Sequence, residues 1–350
     1  MPLVQIEGFD LGLAAVVSGA TFSGGSGSGG GASTVAATTG LALRCTATTS
    51  SNTTDGYLRG YRLTLPANVT TLTVGFSFRA SSYAGAFVPL LQTQGLGGFQ
   101  VGLLIAEGGS SISAYRANSS GPWSGANLGS FAPASPLVAG AYYWCEVTIV
   151  ISDTVGSVTV ALNGTTLGTR SGLDTNYSGG SVRSVIFSAL YTSRTFDVDH
   201  VYIRDDTTRM GQQVVRTVRP SAPGGLSQWA VSGAASGWQA TSDDSDASYV
   251  QAGTVGDRDR YDLGDPNLDT IAGVQVQMRA AKAADGPAIG PLKTVLRLAG
   301  GSQSSPVVAT VAEIVTVLTW TQTDVQATDP DGVAWTPASF VGLELGPEVG

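Results

Sequence analysis

The run from Tyr142 to Arg170, YYWCEVTIVISDTVGSVTVALNGTTLGTR, leaves little freedom to the chain that contains it. Cys145, Val147, Ile149 and Ile151 alternate with Glu146, Thr148 and Val150, so an extended segment gains one apolar face and one mixed face. A second alternating run puts Val158, Val160 and Leu162 on a shared face. Asn163-Gly164 then follows, the dipeptide favoured in two-residue hairpin turns because both positions accept positive φ. The stretch predicts three consecutive antiparallel strands.

Composition extends that expectation to the whole chain. Hydrophobic residues make up 42% and charged residues only 13% of 350 positions, with 47 glycines, a mixture suited to short strands and turns and not to helices. The length favours two domains, each able to bury its own core. The net charge of -8 argues against a nucleic-acid partner and gives an anionic membrane little to attract. Residues 1–206 carry eleven acidic against nine basic side chains, net -2, and residues 207–350 fifteen against nine, net -6, so neither half is a basic binder.

Two cysteines, Cys45 and Cys145, are too few for a disulfide framework or a four-ligand zinc site. They read as buried small apolar residues, with a disulfide as the alternative. There is no stretch of 18 apolar residues. The apolar run Leu11–Ala20 follows Glu7 and Asp10 without the positive start of a signal peptide, so the expectation is a soluble protein made in the cytosol.

Short strand-like segments recur at Leu41–Thr46, Tyr57–Leu65, Thr71–Arg79, Phe87–Thr93, Phe99–Ile105, Ser111–Arg116, Val182–Leu190 and Thr195–Arg204, separated by polar turns. In the last of these, strict alternation would set Phe196, Val198, His200 and Tyr202 on one face and Asp197, Asp199, Val201 and Ile203 on the other. The glycine-rich tract Ser23–Gly31 reads as a flexible loop, because no strand-to-helix context or basic partner follows it as a phosphate cradle requires. The Pro and Gly cluster Pro220–Gly225 marks the best boundary, giving a first domain over 1–206, a linker over 207–226 and a second, smaller β domain over 227–350. In that second domain strands are expected at Ile271–Ala280, Pro291–Leu298, Val307–Trp320 and Phe340–Leu345.

The motifs GFD near the start, TVGFSFR (Thr73–Arg79), YYWCEVTIVI, VTVALNG and FDVDHVYIRDD (Phe196–Asp206) occur in an order that resembles a concanavalin A-like jelly roll of the laminin-G/pentraxin type. The string continues with VVRTVRP, Trp238–Val250, Asp259–Asp265 and Thr328–Gly346. With this continuation, nearly the whole chain is similar to tailed-bacteriophage virion proteins that join such a jelly roll to a second β domain. The resemblance implies an all-β fold, a jelly-roll sandwich followed by a smaller β-sandwich. It also implies a structural protein on the outside of a phage particle, decorating the head or attached to the tail. Its partners would be other virion proteins and copies of itself. It would be made in the bacterial host cytoplasm and carry no catalysis. The alternative is a carbohydrate-binding tail fibre or spike that recognises a host surface glycan. No heptad or internal repeat of a fibre stalk is present, which favours a decoration or accessory protein.

Candidate chemistry is sparse. The E-x-D-x-x-E motif that pairs carboxylates for glycoside hydrolysis is missing, since Glu146 is followed by an acid only at Asp153, across a turn. His200 is the only histidine, so a triad or a His-ligated metal would have to use it. Legume-lectin and laminin-G relatives hold structural calcium. Asp243, Asp244 and Asp246, or Asp257, Asp259 and Asp262, offer oxygen ligands without the D-x-[DN]-x-[DN]-G pattern, and the plainer reading is an acidic solvated loop. The sequons at Asn52, Asn68, Asn118, Asn163 and Asn176 are expected by chance in a Ser/Thr-rich chain. For carbohydrate binding the expected residues are Trp123, in the turn-rich NSSGPWSG, with Tyr115 and Arg116 before it, against the competing reading that Trp123 packs under its own loop or a neighbouring subunit.

Overall fold

A computed structural model describes residues 3–7, 20–22, 30–37, 40–47, 61–84, 87–119, 121, 123, 125–177, 179–187, 195–243, 245–282, 291–309 and 319–350. The chain divides into two compact units, Met1–Val215 and Arg216–Gly350. Both are built of antiparallel strands.

The first unit contains β1 (Leu3–Glu7), β2 (Ala20–Phe22), β3 (Gly30–Ala37), β4 (Gly40–Ala47), β5 (Tyr61–Val69), β6 (Thr71–Ala80), β7 (Val88–Gly95) and β8 (Gly98–Ile105). It continues with β9 (Ile112–Arg116), β10 (Asn127–Phe131), β11 (Tyr143–Val150), β12 (Gly156–Leu162), β13 (Thr165–Leu173), β14 (Val182–Phe187) and β15 (Thr195–Arg204). An eight-stranded sheet runs β13-β12-β11-β6-β15-β4-β3 with β1 added to β15, and a seven-stranded sheet runs β10-β9-β8-β7-β14-β5-β2. Their facing sides share one core, including Phe76, Phe78, Val147 and Val160 from the first sheet and Tyr61, Leu63, Leu103 and Phe187 from the second. This is a jelly-roll β-sandwich.

The meander expected at 142–170 is β11-β12-β13, with Val147 paired to Val160 on one side and to Val74 on the other. Asn163 and Gly164 both take positive φ, 48° and 80°, as a two-residue turn between strands of right-handed twist requires. Both cysteines are free and buried; burial pushes the Cys45 thiol up to about 12 and raises that of Cys145 further. Of the glycine-rich tract, 23–29 lie outside the described residues, and Gly30–Gly31 open β3.

In β15 alternation breaks. Register shifts between Asp199 and Tyr202, and His200 sits at φ 52°. That bulge turns Val201 and Ile203 into the core beside Phe196 and Val198, while His200 and Tyr202 join Asp197 and Asp199 on the far side. The expected grouping of His200 and Tyr202 with the apolar face is therefore corrected after Asp199.

The second unit holds a six-stranded sheet with Pro220–Ser227, Asp259–Leu263, Glu344–Val349, Leu292–Arg297 and Gln303–Ser304 in order, and Val307–Ala309 on Leu292–Arg297. Two two-stranded sheets, Ala230–Ser232 with Tyr249–Gln251 and Gln277–Ala280 with Thr319–Gln322, complete it. Pro220–Ser227, expected as linker, is thus a strand paired with Asp259–Leu263. Phe340–Leu345 is not one strand: Thr336 caps a 3-10 turn over Pro337–Phe340, and the strand begins only at Glu344.

Candidate functional site

The two outer faces of the first unit differ. On the eight-stranded sheet the far side is closed by side-chain pairs and by the segment 206–215. Asp197, 1% exposed, takes both Arg44 and Arg79 as ion-pair partners at 2.7 and 2.6 Å, and Arg79 lies 4.6 Å over the Tyr142 ring. Glu146 is buried, and its Oε1 accepts from the Tyr202 hydroxyl and from the Gly211 N–H. The same hydroxyl accepts from the Met210 N–H at 3.0 Å, His200 Nδ1 accepts from the Val215 N–H at 3.3 Å, and Thr73 Oγ1 donates to the Asp206 carbonyl at 2.6 Å. Burial, followed by the bond to Glu146, raises the Tyr202 hydroxyl well above its ordinary range. Glu146, His200 and Tyr202 are thus bonded to the chain's own backbone and side chains, which fixes the segment after β15 onto the sheet.

The outer face of the seven-stranded sheet carries a different set. In the strands, Tyr61, Leu63, Val101, Leu103, Ile112, Ala114, Val185 and Phe187 point to the core, which leaves Arg62, Gly102, Tyr115 and Ile186 on the opposite side. The ladder aligns them: Arg62 pairs with Ile186, Ile186 with Gln92, Gln92 with Gly102, Gly102 with Tyr115, and Tyr115 with Asn127. One cross-strand row therefore runs Arg62, Ile186, Gln92, Gly102, Tyr115, Asn127. At about 4.8 Å per strand, Arg62 and Tyr115 are roughly 19 Å apart at the backbone. Gln92, Ile186 and Gly102 form a buried centre, while Arg62 and Tyr115 are partly exposed and Asn127 is exposed, so only the ends of the row reach solvent. A neighbouring row holds Leu104, Ser113 and Ser130, whose two hydroxyls lie 2.8 Å apart.

Of the residues expected to bind carbohydrate, Tyr115 lies in this row. Arg116, next in the strand, points the other way and pairs with Asp174, which follows β13 of the eight-stranded sheet. Trp123 is half-buried in the β9–β10 connection. Sequence reasoning missed Asn127, the exposed ladder partner of Tyr115.

Four of the acidic residues weighed as calcium ligands are separately engaged. Asp259 accepts from the Gln228 and Trp229 N–H groups and the Tyr261 hydroxyl, Asp257 from Thr254 N–H, and Asp243 from Ser245 N–H and the Ser248 hydroxyl, while Asp246 pairs with Arg279. Among the described residues no group of three or more His, Cys, Asp or Glu converges. Asp244 lies outside the described residues.

No family model matches the chain. No curated protein matches it either. Among solved structures it is similar to a cellulose-induced protein, 16% identical over 60% of this chain and 100% of that one, with a TM-score of 0.43. An endo-β-1,4-glucuronan lyase from the fungus Trichoderma reesei is 17% identical over 51% of this chain and 87% of that one, TM-score 0.37. A carbohydrate-binding module from Bacillus subtilis is 11% identical over 54% and 96%, TM-score 0.33. These likenesses concern the fold alone. Two alginate lyases are also among the similar structures, so the expectation of a chain without catalysis is not upheld. That expectation came from the resemblance to phage structural proteins, and the missing paired-carboxylate motif beside it bears on glycoside hydrolysis and not on the different reaction of a lyase.

Proposed function

We propose that the first unit binds carbohydrate at the β9–β10 end of its seven-stranded sheet. The observation that carries this reading is the ladder pair of Tyr115, partly exposed, and Asn127, exposed. It combines an aromatic ring with a hydrogen-bonding amide, the pairing that sugars need because each ring has an apolar face and a polar rim. Neighbours of similar fold include structures named as a carbohydrate-binding module and as glucuronan and alginate lyases. A glycan array with the full chain, followed by titration, tests the reading. Binding should strengthen from monosaccharide to tetrasaccharide, and Tyr115→Ala should weaken it about tenfold, roughly 1.4 kcal/mol. Absence of binding to every glycan at millimolar concentration overturns it.

The motif resemblance to tailed-phage virion proteins supports a setting for that contact: a particle surface, where the chain assembles with other virion proteins and copies of itself and meets a host glycan. Locating the chain by cryo-electron microscopy of intact particles, with its copy number, tests this. Its absence from purified particles removes the setting and leaves the glycan contact standing.

A further inference from the structure

We infer that His200 is a pH-operated clasp: neutral, it holds the end of the first unit's chain against the eight-stranded sheet, and protonated, it lets residues 212–215 go. This goes beyond the carbohydrate reading and does not depend on it.

Three observations converge. The sheet holds residues 206–211 through several groups: Thr73 Oγ1 donates to the Asp206 carbonyl, the Tyr202 hydroxyl accepts from the Met210 N–H, and Glu146 accepts from the Gly211 N–H. Beyond Gly211, the one hydrogen bond from the segment to the sheet among the described residues runs from the Val215 N–H to His200 Nδ1, since Gln213 turns back to the Met210 carbonyl. Val215 is also the last residue of the first unit. Second, the imidazole has another partner to turn to, because Nδ1 lies 3.4 Å from Asp199 Oδ1. A neutral Nδ1 accepts through its lone pair, whereas a protonated one is a donor. Protonation therefore sets Nδ1–H against the Val215 N–H and gives it a charge-assisted bond to the Asp199 carboxylate instead. The Val215 N–H, on a half-buried residue, is then left to water. Third, His200 is the only histidine, so no other side chain has its ordinary titration between about pH 5 and 8. The other charged and titratable groups on the described elements around it are Asp197, Asp199, Tyr202 and Arg204 of β15, Glu7 opposite Val201 in β1, Arg44 of β4, Arg79 of β6, Tyr142 and Glu146 at β11, and Asp206, Arg209 and Arg216 after β15. Asp197 is held by Arg44 and Arg79, Glu146 by Tyr202 and the Gly211 N–H, and Asp206 by Arg204, so Asp199 is the described carboxylate within reach of Nδ1. The clasp is complete where the imidazole is neutral and is lost as pH falls through its titration.

The test is hydrogen–deuterium exchange of the full chain across the range from about pH 7.5 to about pH 5, with intrinsic exchange rates divided out, beside proton NMR of the imidazole C2–H. A single histidine gives a single resonance, so the NMR midpoint is that of His200. The expected result is a loss of protection over 212–215 of about fivefold, the worth of one net hydrogen bond, with the same midpoint as the imidazole titration. Met210 and Gly211, held by groups that do not titrate in this range, should keep their protection. His200→Gln retains an acceptor and cannot titrate, so exchange over 212–215 should no longer depend on pH in that variant. Protection that stays constant, a midpoint different from that of the imidazole, or the same pH dependence in a folded His200→Gln overturns the inference. The comparison of midpoints needs no variant, so it decides the matter even if His200→Gln fails to fold.

Discussion

His200 and Tyr202 show how single residues decide what the far side of the eight-stranded sheet is for. At φ 52° a residue with a Cβ is strained, and His200 accepts that strain in return for placing its ring where the Val215 N–H reaches Nδ1. His200→Ala and His200→Gly both lose the ring, so their difference isolates the backbone. The glycine variant should be the more stable by about 1 kcal/mol in urea melts, the reverse of the usual order within a strand. Tyr202→Phe removes a hydroxyl that donates to Glu146 and accepts from Met210, leaving a buried carboxylate and an N–H each short of a partner. The expected loss is about 1–3 kcal/mol by the same measurement. Gly75 is fixed by the same ring: a Cβ there would stand 2.1 Å from the Tyr202 Cε1, so Gly75→Ala has to displace it.

At the scale of the strand, β11 is the element whose disruption the fold tolerates least. It lies between β12 and β6, and Val147 is fully buried with Val160 and Val74 as its ladder neighbours. Val147→Asp would bury an unpaired carboxylate there, and the first unit should lose its cooperative near-ultraviolet transition altogether. This meander was fully legible in the sequence, because each strand buries one face and alternates, and because the turn needed two positive φ values that Asn163 and Gly164 supply. β15 was legible only as far as Asp199. A bulge inserts a residue without leaving a mark in hydrophobicity, so Val201 and Ile203 looked outward and His200 and Tyr202 inward. The proposed contact was hidden for a related reason. The sequence singled out Trp123 with Tyr115 and Arg116 before it, but Tyr115 and Asn127 lie in different strands, and only the pairing of β9 with β10 sets them side by side. Pro220–Ser227 escaped notice because its prolines and glycines read as a boundary, although an edge strand also admits proline.

For the whole molecule, two units with separate cores make a single unfolding free energy ill defined, and each needs its own reporter. Cys45 and Cys145 serve for the first unit: both are buried, with thiols raised by burial, so a thiol reagent should modify neither in the native chain and both once that unit opens. Glu344 serves for the second. Burial pushes its carboxyl up, but the Gly225 N–H and the Arg297 and Arg260 guanidinium groups outweigh this and hold it below its ordinary 4.5. A carboxyl whose folded value is depressed contributes stability that is present above its unfolded value and is lost as pH falls through the folded one. Lowering the pH from about 5 to about 3 should therefore cost the second unit part of its stability, because that range spans the ordinary value. Glu344→Gln should weaken that unit at neutral pH and flatten this part of its acid response, because the two arginines then lose their carboxylate at every pH. Tryptophan fluorescence, four of whose six sources (Trp229, Trp238, Trp320 and Trp335) lie in the second unit, would follow that transition in a Trp123→Phe, Trp144→Phe background, while thiol labelling follows the first. An acid slope unchanged by Glu344→Gln would assign the sensitivity to another carboxylate. A shift in the thiol-labelling midpoint would show instead that the two units unfold as one.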